Sequence, residues 1–223
     1  MDLSKFGGVL DNTEQEKRES IVAHCRALNA SGLNQGTSGN ISIRHADGLL
    51  ISPTSRPYDT LSPSDISYVE MNGTAHGPWK PSSEWRFHRD ILQDKPEADA
   101  VVHAHPTACT SLAIHGRGIP AVHYMVAVFG GTDVRCAPYE IYGSAELSEV
   151  AVEALKDRSG CLLAHHGMIT TGATLEQAFW RAQELEALAK QYLGALSIGT
   201  PPVLTDQQVQ DVIAKISGYG VTS

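Results

Sequence analysis

Two hydrophobic periodicities alternate along the chain and predict a mixed α/β protein. Apolar residues at helical spacing begin after Thr13, which forms an S/T-x-x-E capping box with Glu16, and continue to about Gly32. The β-prone runs NISIRH and GLLIS follow, separated by the turn signal Asp47-Gly48, and the run ISYVEM comes after them. The first part of the chain is therefore predicted to form one amphipathic helix and a meander of short strands.

The rest of the chain alternates between helical and strand-like segments. In chain order we predict a helix from Ser83 to Pro96, a strand over ADAVVHAH, a helix after Pro106, a strand near Val134, a helix from Ser144 to about Lys156, a strand over CLLAHH, a long helix from Thr174 and a terminal helix from Thr205. Gln177 and Gln208 complete capping boxes for the last two helices. This alternation indicates an α/β fold with helices layered on a mixed sheet.

Composition and charge narrow the range of functions. The chain has 223 residues, of which 42% are hydrophobic and 19% charged, so it can bury one substantial core. No repeat or linker-like segment interrupts it, and we predict a single domain over residues 1–223. The formal net charge of -8 argues against nucleic-acid or anionic-membrane partners, because both require a positive surface. Any phosphate must therefore be held by a local pocket.

The sequence also predicts a cytoplasmic protein. Its N-terminus has no apolar signal-peptide core, and no later stretch is long enough to span a bilayer. The cysteines are widely spaced among apolar or small neighbours and form no C-x-x-C pair. We therefore expect buried thiols at all four positions: Cys25, Cys109, Cys136 and Cys161.

Histidines on two strand-like runs form a candidate metal site. In VVHAH, His103 and His105 share one face of a predicted strand, with Cβ atoms about 7 Å apart, so both imidazoles can reach one ion. In CLLAHHGMI, strand alternation allows only one of His165 and His166 to face the metal. Alternation does not say which one, but the following Gly167 permits close backbone approach and favours His166. Three histidines leave a fourth position open, as in catalytic zinc sites.

The other histidines are interpreted more conservatively. Two lie on predicted amphipathic helices and three stand beside turn residues, and we expect structural or solvated roles for all five: His24, His88, His45, His76 and His115. His123 adjoins Tyr124, and its role is left open.

Six short motifs, in a fixed order, span nearly the whole chain: TSGNIS at 37–42, PTSRPYD at 53–59, KPSSEW, VVHAH, AVHYM and HHG. Together they resemble the class II aldolase/adducin family, and within it the branch of the L-fuculose-1-phosphate aldolases. The resemblance implies an α/β/α sandwich with a central, mainly antiparallel sheet. It also implies a homotetramer with cyclic symmetry, in which the active sites lie between subunits.

By motif position, the resemblance assigns roles in metal binding and catalysis. His103, His105 and His166 would be ligands of Zn²⁺, with Mn²⁺ or Co²⁺ as alternatives. Glu84 of KPSSEW would be the fourth ligand in the resting enzyme and the acid/base in catalysis. Tyr124 of AVHYM would reach into a neighbouring subunit's site as a proton donor.

The resemblance further implies a phosphate site made from three short segments: Gly39, Asn40, Thr54, Ser55, Ser82 and Ser83. A helix that begins near Ser82 and Ser83 offers free N–H groups and the positive end of its dipole to an anion. The alternative is that both serines only cap the helix. The family usually has T-G in the second segment, whereas Ser55 stands here in place of glycine. Tyr142 and Tyr219 are candidates for the aldehyde end.

The implied reaction is retro-aldol cleavage of a ketose 1-phosphate to dihydroxyacetone phosphate and a small aldehyde. L-fuculose 1-phosphate, a 5-deoxypentulose 1-phosphate and methylthioribulose 1-phosphate are candidate substrates. Two related activities stay open: methylthioribulose-1-phosphate dehydratase, which keeps the same ligands, and sugar-phosphate 4-epimerase, in which aspartate usually replaces Glu84. A non-enzymatic adducin-like interaction module would not need the metal ligands, and all of them are present here.

Overall fold

The computed structural model describes residues 12–216 of the chain. Within this range the helices are α1 (Asn12–Ala30), α2 (Trp85–Asp94), α3 (Thr107–Ile114), α4 (Ala145–Ala154), α5 (Leu175–Ile198) and α6 (Asp206–Ile216). The strands are β1 (Asn40–His45), β2 (Gly48–Ile51), β3 (Ser67–Glu70), β4 (Ala75–His76), β5 (Ala100–Ala104), β6 (Ile119–Pro120), β7 (Asp133–Ala137), β8 (Gly160–Leu163) and β9 (Gly167–Gly172). Short 3-10 turns cover Tyr58–Thr60, Pro63–Asp65 and Tyr124–Phe129.

One sheet contains the nine strands of the described range, in the order β4-β3-β2-β1-β5-β9-β8-β7-β6. All neighbouring pairs are antiparallel except β7 and β8, which are parallel. The central strand β5 pairs with β1 on one side, where His103 faces Asn40, and with β9 on the other, where it faces Ile169. The predicted α/β class with a mainly antiparallel sheet is confirmed, and the pairing brings the two histidine segments side by side.

The two faces of the sheet bury separate hydrophobic cores, because successive side chains of a strand point to opposite faces. In β5, Val102 belongs to the core that also contains residues of α1, α3, α5 and α6. Its neighbour Val101 belongs to the second core, with residues of α2 and α4. Helices therefore cover both faces of the sheet, which confirms the predicted α/β/α sandwich.

The predicted helix starts agree with the structure in four of six cases. α3 begins directly after Pro106, and Ser144 is the N-cap of α4, where its side chain accepts from the Leu147 amide. At α6, Gln208 Oε1 accepts from the Thr205 amide and Thr205 Oγ1 accepts from the Gln208 amide, which is a complete capping box. At α5, Thr174 Oγ1 accepts from the Gln177 amide as predicted. Thr13, by contrast, lies inside α1 and does not precede it, so its role as N-cap was predicted wrongly. The helix predicted from Ser83 begins at Trp85, with Glu84 at its N-cap.

The segment CLLAHH differs most from the prediction. It is not one continuous strand, since β8 ends at Leu163 and the chain turns through residues 164–166 before β9 begins at Gly167. His165 and His166 therefore lie in the turn of a β-hairpin. The alternation of side chains along a strand therefore does not apply to His165 and His166. The conformation of the turn decides which of the two rings points toward His103 and His105.

Burial of the thiols agrees with expectation at three positions. Cys25, Cys109 and Cys161 are buried and Cys136 is partly buried, and all four are free. Burial raises the pKa of the Cys136 thiol to about 11, so it is protonated at neutral pH. Among residues 12–216, no helix has the length and apolar character needed to cross a membrane.

Candidate active site

Three histidines converge where β5 ends beside the turn between β8 and β9. His103 lies on β5, His105 directly follows that strand, and His166 lies in the turn. One ring nitrogen of each residue lies within 4.8 Å of those of the other two. The ring centroids are 4.7, 4.8 and 4.9 Å apart, and each pair of rings is strongly tilted. The three rings thus surround one point, as ligands of a metal ion do.

The backbone of the hairpin turn determines which of the two adjacent histidines joins this cluster. The turn is closed by a hydrogen bond from the His166 amide to the Leu163 carbonyl oxygen, at 3.0 Å. His165 has a φ of 55°, in the left-handed region, and its exposed ring packs edge-on to Tyr139 at 5.9 Å. The structure therefore brings His166 to His103 and leaves His165 at the rim of the site.

Gly167 permits the close approach that the sequence suggested. A Cβ atom at this position would lie 2.5 Å from Cδ2 of His105 and 2.5 Å from the carbonyl oxygen of Ala104. Any larger residue would push the hairpin away from the end of β5. The glycine thus holds the β8–β9 turn against His105.

Glu84 lies beside the histidine cluster. It occupies the N-cap of α2 and is buried, with Oε2 3.2 Å from His103 Nε2 and Oε1 3.2 Å from His166 Nε2. Burial opposes ionisation of this carboxyl group, but the adjacent His103 and His166 outweigh burial and hold its pKa well below its usual range. Although His166 is near, Oε1 accepts no hydrogen bond.

The protonation pattern of the cluster fits a cation. His103 Nδ1 lies 2.8 Å from the Met168 carbonyl oxygen, which can only accept, so Nδ1 carries the hydrogen and Nε2 presents a lone pair. His105 Nε2 lies 2.8 Å from His103 Nε2. Burial, followed by the charges of His103 and His166, lowers the pKa of His105 to about 3, so its ring is neutral. Imidazole nitrogens and an ionised carboxylate with a free oxygen are a donor set that suits zinc or a similar divalent metal.

A polar network supports Glu84 from behind. Asn40 Nδ2 donates to Glu84 Oε2 at 2.9 Å, and Asn40 Oδ1 faces Nε2 of His88. The other ring nitrogen of His88, Nδ1, lies 2.7 Å from the hydroxyl of Ser42. Burial and the neighbouring His103 lower the pKa of His88 to about 3, so this ring is neutral. The sequence analysis gave His88 only a structural or solvated role, and the structure buries it completely against the site.

A cavity of about 440 Å³ opens onto Glu84, His105 and His166. Its wall includes every residue predicted to hold phosphate: Gly39, Asn40, Thr54, Ser55, Ser82 and Ser83. Among the described residues that line it there is no lysine or arginine. An anion in this cavity would therefore be held by hydroxyl groups, amides and the N-terminal end of α2.

Two of the predicted phosphate segments are fixed to each other by backbone contacts. Residues 53 and 81 form an antiparallel bridge, the Thr54 amide donates to the Lys80 carbonyl oxygen, and the Ser82 amide donates to the Ser52 carbonyl oxygen, the last two at 3.0 Å. Ser82 Oγ also accepts from the Glu84 amide at 3.3 Å, whereas Ser83 is exposed to the cavity. The hydroxyl of Ser82 thus contacts the amide of the N-cap residue Glu84 and caps no helical amide, whereas Ser83 faces the cavity.

Ser55 and Asn40 are placed in ways that the sequence did not indicate. Ser55 has a φ of 56°, a left-handed conformation that glycine adopts more easily than serine. Both polar ends of the Asn40 side chain are used within the protein, by Glu84 and His88. The amide nitrogen of Asn40 has a second hydrogen, so a phosphate contact is compatible with this network.

The predicted tyrosines lie at different distances from the site. Tyr124 is 51% exposed, at the start of the 3-10 turn Tyr124–Phe129, and within residues 12–216 it does not line the cavity. Tyr142 does line it, while Tyr219 lies outside the described residues. The cavity wall also includes Tyr139 and Glu140, which the sequence analysis missed, and His165, which it gave as the alternative to His166. No periodicity or motif marks Tyr139 and Glu140, because they reach the cavity through the course of a loop.

Comparison with known proteins agrees with this architecture. Residues 19–193 match the family described as Class II Aldolase and Adducin N-terminal domain. The chain is 47% identical over 202 residues to the L-fuculose phosphate aldolase of Escherichia coli (strain K12), covering 90% of this chain and 94% of the relative. It is 48% identical over 203 residues to the 5-methylthioribulose-1-phosphate/5-deoxyribulose-1-phosphate aldolase of Rhodospirillum rubrum, covering 91% and 92%.

Solved structures give the same result. A structure of L-fuculose 1-phosphate aldolase superposes with a TM-score of 0.88 at 35% identity and covers 91% of this chain and 96% of its own. The L-fuculose-1-phosphate aldolase of Thermus thermophilus superposes with a TM-score of 0.74 at 26% identity and covers 86% and 100%. With its fold, its motifs and its sequence in agreement over about nine-tenths of its length, this chain belongs to the class II aldolase and adducin family.

Proposed function

We propose that the chain is a metal-dependent aldolase that cleaves a ketose 1-phosphate to dihydroxyacetone phosphate and a small aldehyde. The observation that carries this proposal is a cavity with a histidine and carboxylate cluster on one side and serine and threonine loops at a helix N-terminus on the other. A ketose 1-phosphate has its carbonyl next to the carbon that bears the phosphate, so it can occupy both sides at once. The names of the aldolases that are nearly half identical to the chain support the same reaction.

His103, His105 and His166 would hold the metal, and Glu84 would be the fourth ligand before substrate binds. Three nitrogen donors and one carboxylate oxygen are typical of catalytic zinc, so we propose Zn²⁺, with Mn²⁺ and Co²⁺ as alternatives. A divalent ion bound there supplies Lewis-acid polarisation of the substrate carbonyl, which is worth several kcal/mol of charge stabilisation.

Glu84 is assigned to proton transfer at C3 of the substrate. Its carboxylate is ionised, and its Oε1 has a lone pair that no protein donor occupies. In the condensation direction this oxygen accepts the proton from C3 of dihydroxyacetone phosphate, and in cleavage it returns the proton to the same carbon. In condensation the hydroxyl group of Tyr124 of a neighbouring subunit donates its proton to the C4 oxygen, and in cleavage its tyrosinate form accepts the proton of the C4 hydroxyl group. Proton exchange with water then returns Glu84 and Tyr124 to their starting states. The two residues exchange one proton each at opposite ends of the bond that breaks.

The phosphate is assigned to the loops at the N-terminal end of α2. Ser83 is exposed to the cavity, and the adjacent Thr54 lies across the bridge between the two loops. Backbone N–H groups at a helix N-terminus are free to bind anions, which compensates for the lack of lysine and arginine on this wall. The acidic net charge of the chain is therefore compatible with an anionic substrate.

A homotetramer with active sites between subunits, located in the cytoplasm, completes the proposal. The half-exposed side chain of Tyr124 supports a site between subunits, because a tyrosine that acts in another subunit must protrude from the surface of its own subunit. The cavity wall of one chain also leaves Tyr142 exposed, which gives a neighbouring subunit a surface to cover.

The reaction is tested by incubating the protein with L-fuculose 1-phosphate, with 5-deoxyribulose 1-phosphate and with methylthioribulose 1-phosphate. Aldol cleavage releases dihydroxyacetone phosphate, which is measured by NADH oxidation with glycerol-3-phosphate dehydrogenase. A dehydratase would release no triose phosphate from methylthioribulose 1-phosphate, and an epimerase would only produce an isomer. A non-enzymatic adducin-like interaction module would form no product from any of these substrates and would not bind one metal ion per subunit.

A further inference from the structure

We infer that His88 is a positioning residue, which orients the carboxylate of Glu84 through the side-chain amide of Asn40. The inference deepens the proposed function, because it rests on Glu84 as metal ligand and proton carrier. His88 touches neither the cavity nor the histidine cluster by hydrogen bonds, so it would act only through Asn40.

The direction of each hydrogen bond follows from the chemistry of the groups. The ionised carboxylate of Glu84 can only accept, so the atom of Asn40 that faces it is the donor Nδ2. The opposite atom, Oδ1, can only accept, so Nε2 of His88 must carry the hydrogen. In the neutral ring Nδ1 is then an acceptor, and the hydroxyl of Ser42 donates to it. One tautomer of His88 and one orientation of the amide satisfy all four groups.

The secondary structure places these four residues in two facing pairs. Asn40 and Ser42 are two residues apart on β1, so they point to the same face of the sheet. Glu84 and His88 are four residues apart at the start of α2, so they lie one above the other on the same side of that helix. We call this chain of hydrogen bonds, from Ser42 through His88 and Asn40 to Glu84, the relay. It connects the two strand residues to the two helix residues and fixes the N-terminus of α2 relative to β1.

Burial makes this orientation strict. Ser42 and His88 are fully buried and Asn40 is 3% exposed, so water does not compete for their hydrogen bonds. A rotated Asn40 amide would place its oxygen against the Glu84 carboxylate and its nitrogen against the His88 N–H, and both contacts would be repulsive. The relay thus selects one arrangement of the carboxylate.

As a consequence, the two carboxylate oxygens of Glu84 have different hydrogen-bonding surroundings. Oε2 is tethered by Asn40, whereas Oε1 accepts no hydrogen bond and faces His166. The tether leaves Oε1 as the oxygen available to a metal or to a substrate proton. Without His88 the amide of Asn40 is free to rotate, and the carboxylate loses its fixed orientation.

The test measures Zn²⁺ affinity of the full chain by competition with a chromophoric chelator, with turnover as a second readout. We expect His88→Leu to weaken Zn²⁺ binding by about 10- to 100-fold, the usual effect of losing a group that orients a ligand. His88→Gln should recover most of the affinity, because its amide N–H can replace the ring N–H toward Asn40. In a Glu84→Gln background, His88→Leu should have little further effect, since the relay acts through the carboxylate.

Thr170→Val is the matched control, because Thr170 is fully buried, donates to the Ala178 carbonyl oxygen at 2.8 Å and lies outside the site. It should lower the melting temperature without changing Zn²⁺ affinity. The relay is refuted if His88→Leu lowers the melting temperature but leaves the Zn²⁺ affinity unchanged. It is also refuted if His88→Leu weakens Zn²⁺ binding by the same factor in wild type and in the Glu84→Gln background.

Ser42→Ala provides a second route if His88→Leu does not fold, because it removes only the hydroxyl that donates to Nδ1 of His88 and holds the ring toward Asn40. A reduced Zn²⁺ affinity supports the relay, and an unchanged affinity contradicts it. These binding measurements need no substrate. A wild-type protein that binds Zn²⁺ but cleaves no ketose phosphate would refute the proposed function and leave the relay open to the same test.

Discussion

The Nε2 atom of His166 lies 3.2 Å from the Oε1 atom of Glu84, yet this buried oxygen accepts no hydrogen bond. The distance would allow a hydrogen bond, so the bond is absent because the His166 ring nitrogen and the Glu84 oxygen are not aligned with each other. Electron-pair donors that face a common point, and not each other, are the arrangement found around a metal ion. The Nε2 atoms of His103 and His105 lie 2.8 Å apart and belong to the same cluster of ring nitrogens.

The first prediction separates the two adjacent histidines of the hairpin turn. His166→Ala should lose the bound metal, whereas His165→Ala should keep it, because the left-handed backbone at His165 turns that ring toward Tyr139 and the rim. Elemental analysis of the purified variants measures metal per subunit, and wild type should contain one ion. Loss of metal in His165→Ala with retention in His166→Ala would show that the wrong histidine is assigned.

A second prediction concerns Glu84→Gln, which keeps the size and polarity of the side chain but removes the base. The variant should fold and retain some metal through the three histidines, while turnover falls by roughly 10²–10⁴, the usual contribution of a positioned general base. The measurement is kcat for cleavage at saturating ketose phosphate, with metal content determined in parallel.

Alternatively, Glu84 only stabilises the start of α2, where its negative charge interacts with the helix dipole and contributes about 0.3–1 kcal/mol to the free energy of unfolding. Nearly normal turnover with a slightly lower melting temperature would support that role. It would also exclude Glu84 as the proton carrier.

The layers of the fold could be predicted because they depend on local patterns. The run ADAVVHAH was predicted to be a strand, and its adjacent residues Val101 and Val102 belong to the two different cores. The strands β4 and β6 were not predicted, because two residues are too short for any periodicity. The β8–β9 turn was missed because the apolar run continues past Leu163, and the left-handed conformation of His165 is not encoded in hydrophobicity.

The site was predictable to the extent that its residues lie in short motifs. The structure brings the predicted phosphate residues to one cavity with Glu84, His105 and His166, and the fully buried His103 belongs to the same histidine cluster; their roles stay predictions. The contacts of His88 could not be predicted in the same way. Its spacing from Glu84 and the spacing of Asn40 from Ser42 are visible in the sequence, but their pairing depends on how α2 packs across β1. That packing is a tertiary relationship.

A third prediction compares two adjacent serines. Ser83→Ala should raise KM for a ketose phosphate with little change in stability, because Ser83 is exposed to the cavity. Ser82→Ala should lower the free energy of unfolding by about 1 kcal/mol, since its hydroxyl accepts from the Glu84 amide at the helix start. Steady-state kinetics and urea denaturation of both variants test the contrast. An unchanged KM in Ser83→Ala would remove that residue from the phosphate site.

Ser55 gives a fourth prediction, based on its φ of 56°. A left-handed conformation costs an L-residue roughly 1–2 kcal/mol, and glycine avoids this cost but loses about 0.5–1 kcal/mol through its freer unfolded state. Ser55→Gly should therefore raise the free energy of unfolding by up to about 1.5 kcal/mol and leave KM unchanged. Ser55→Val should be destabilising, because β-branched residues rarely adopt this conformation. A KM that rises in Ser55→Gly would show that the serine hydroxyl itself binds substrate.

The last prediction tests whether Tyr124 acts in a neighbouring subunit. Tyr124→Phe should retain metal and stability, because the side chain is 51% exposed, while turnover falls by about 10²–10⁴ through loss of a proton carrier. If each site combines Glu84 of one subunit with Tyr124 of another, mixed oligomers of Glu84→Gln and Tyr124→Phe contain some sites in which both residues are intact. Coexpressing the two inactive variants with different affinity tags, and purifying through both tags, should therefore restore part of the activity. A tyrosine that serves its own chain would leave every mixed site defective, so mixed oligomers without recovered activity would assign Tyr124 to its own subunit.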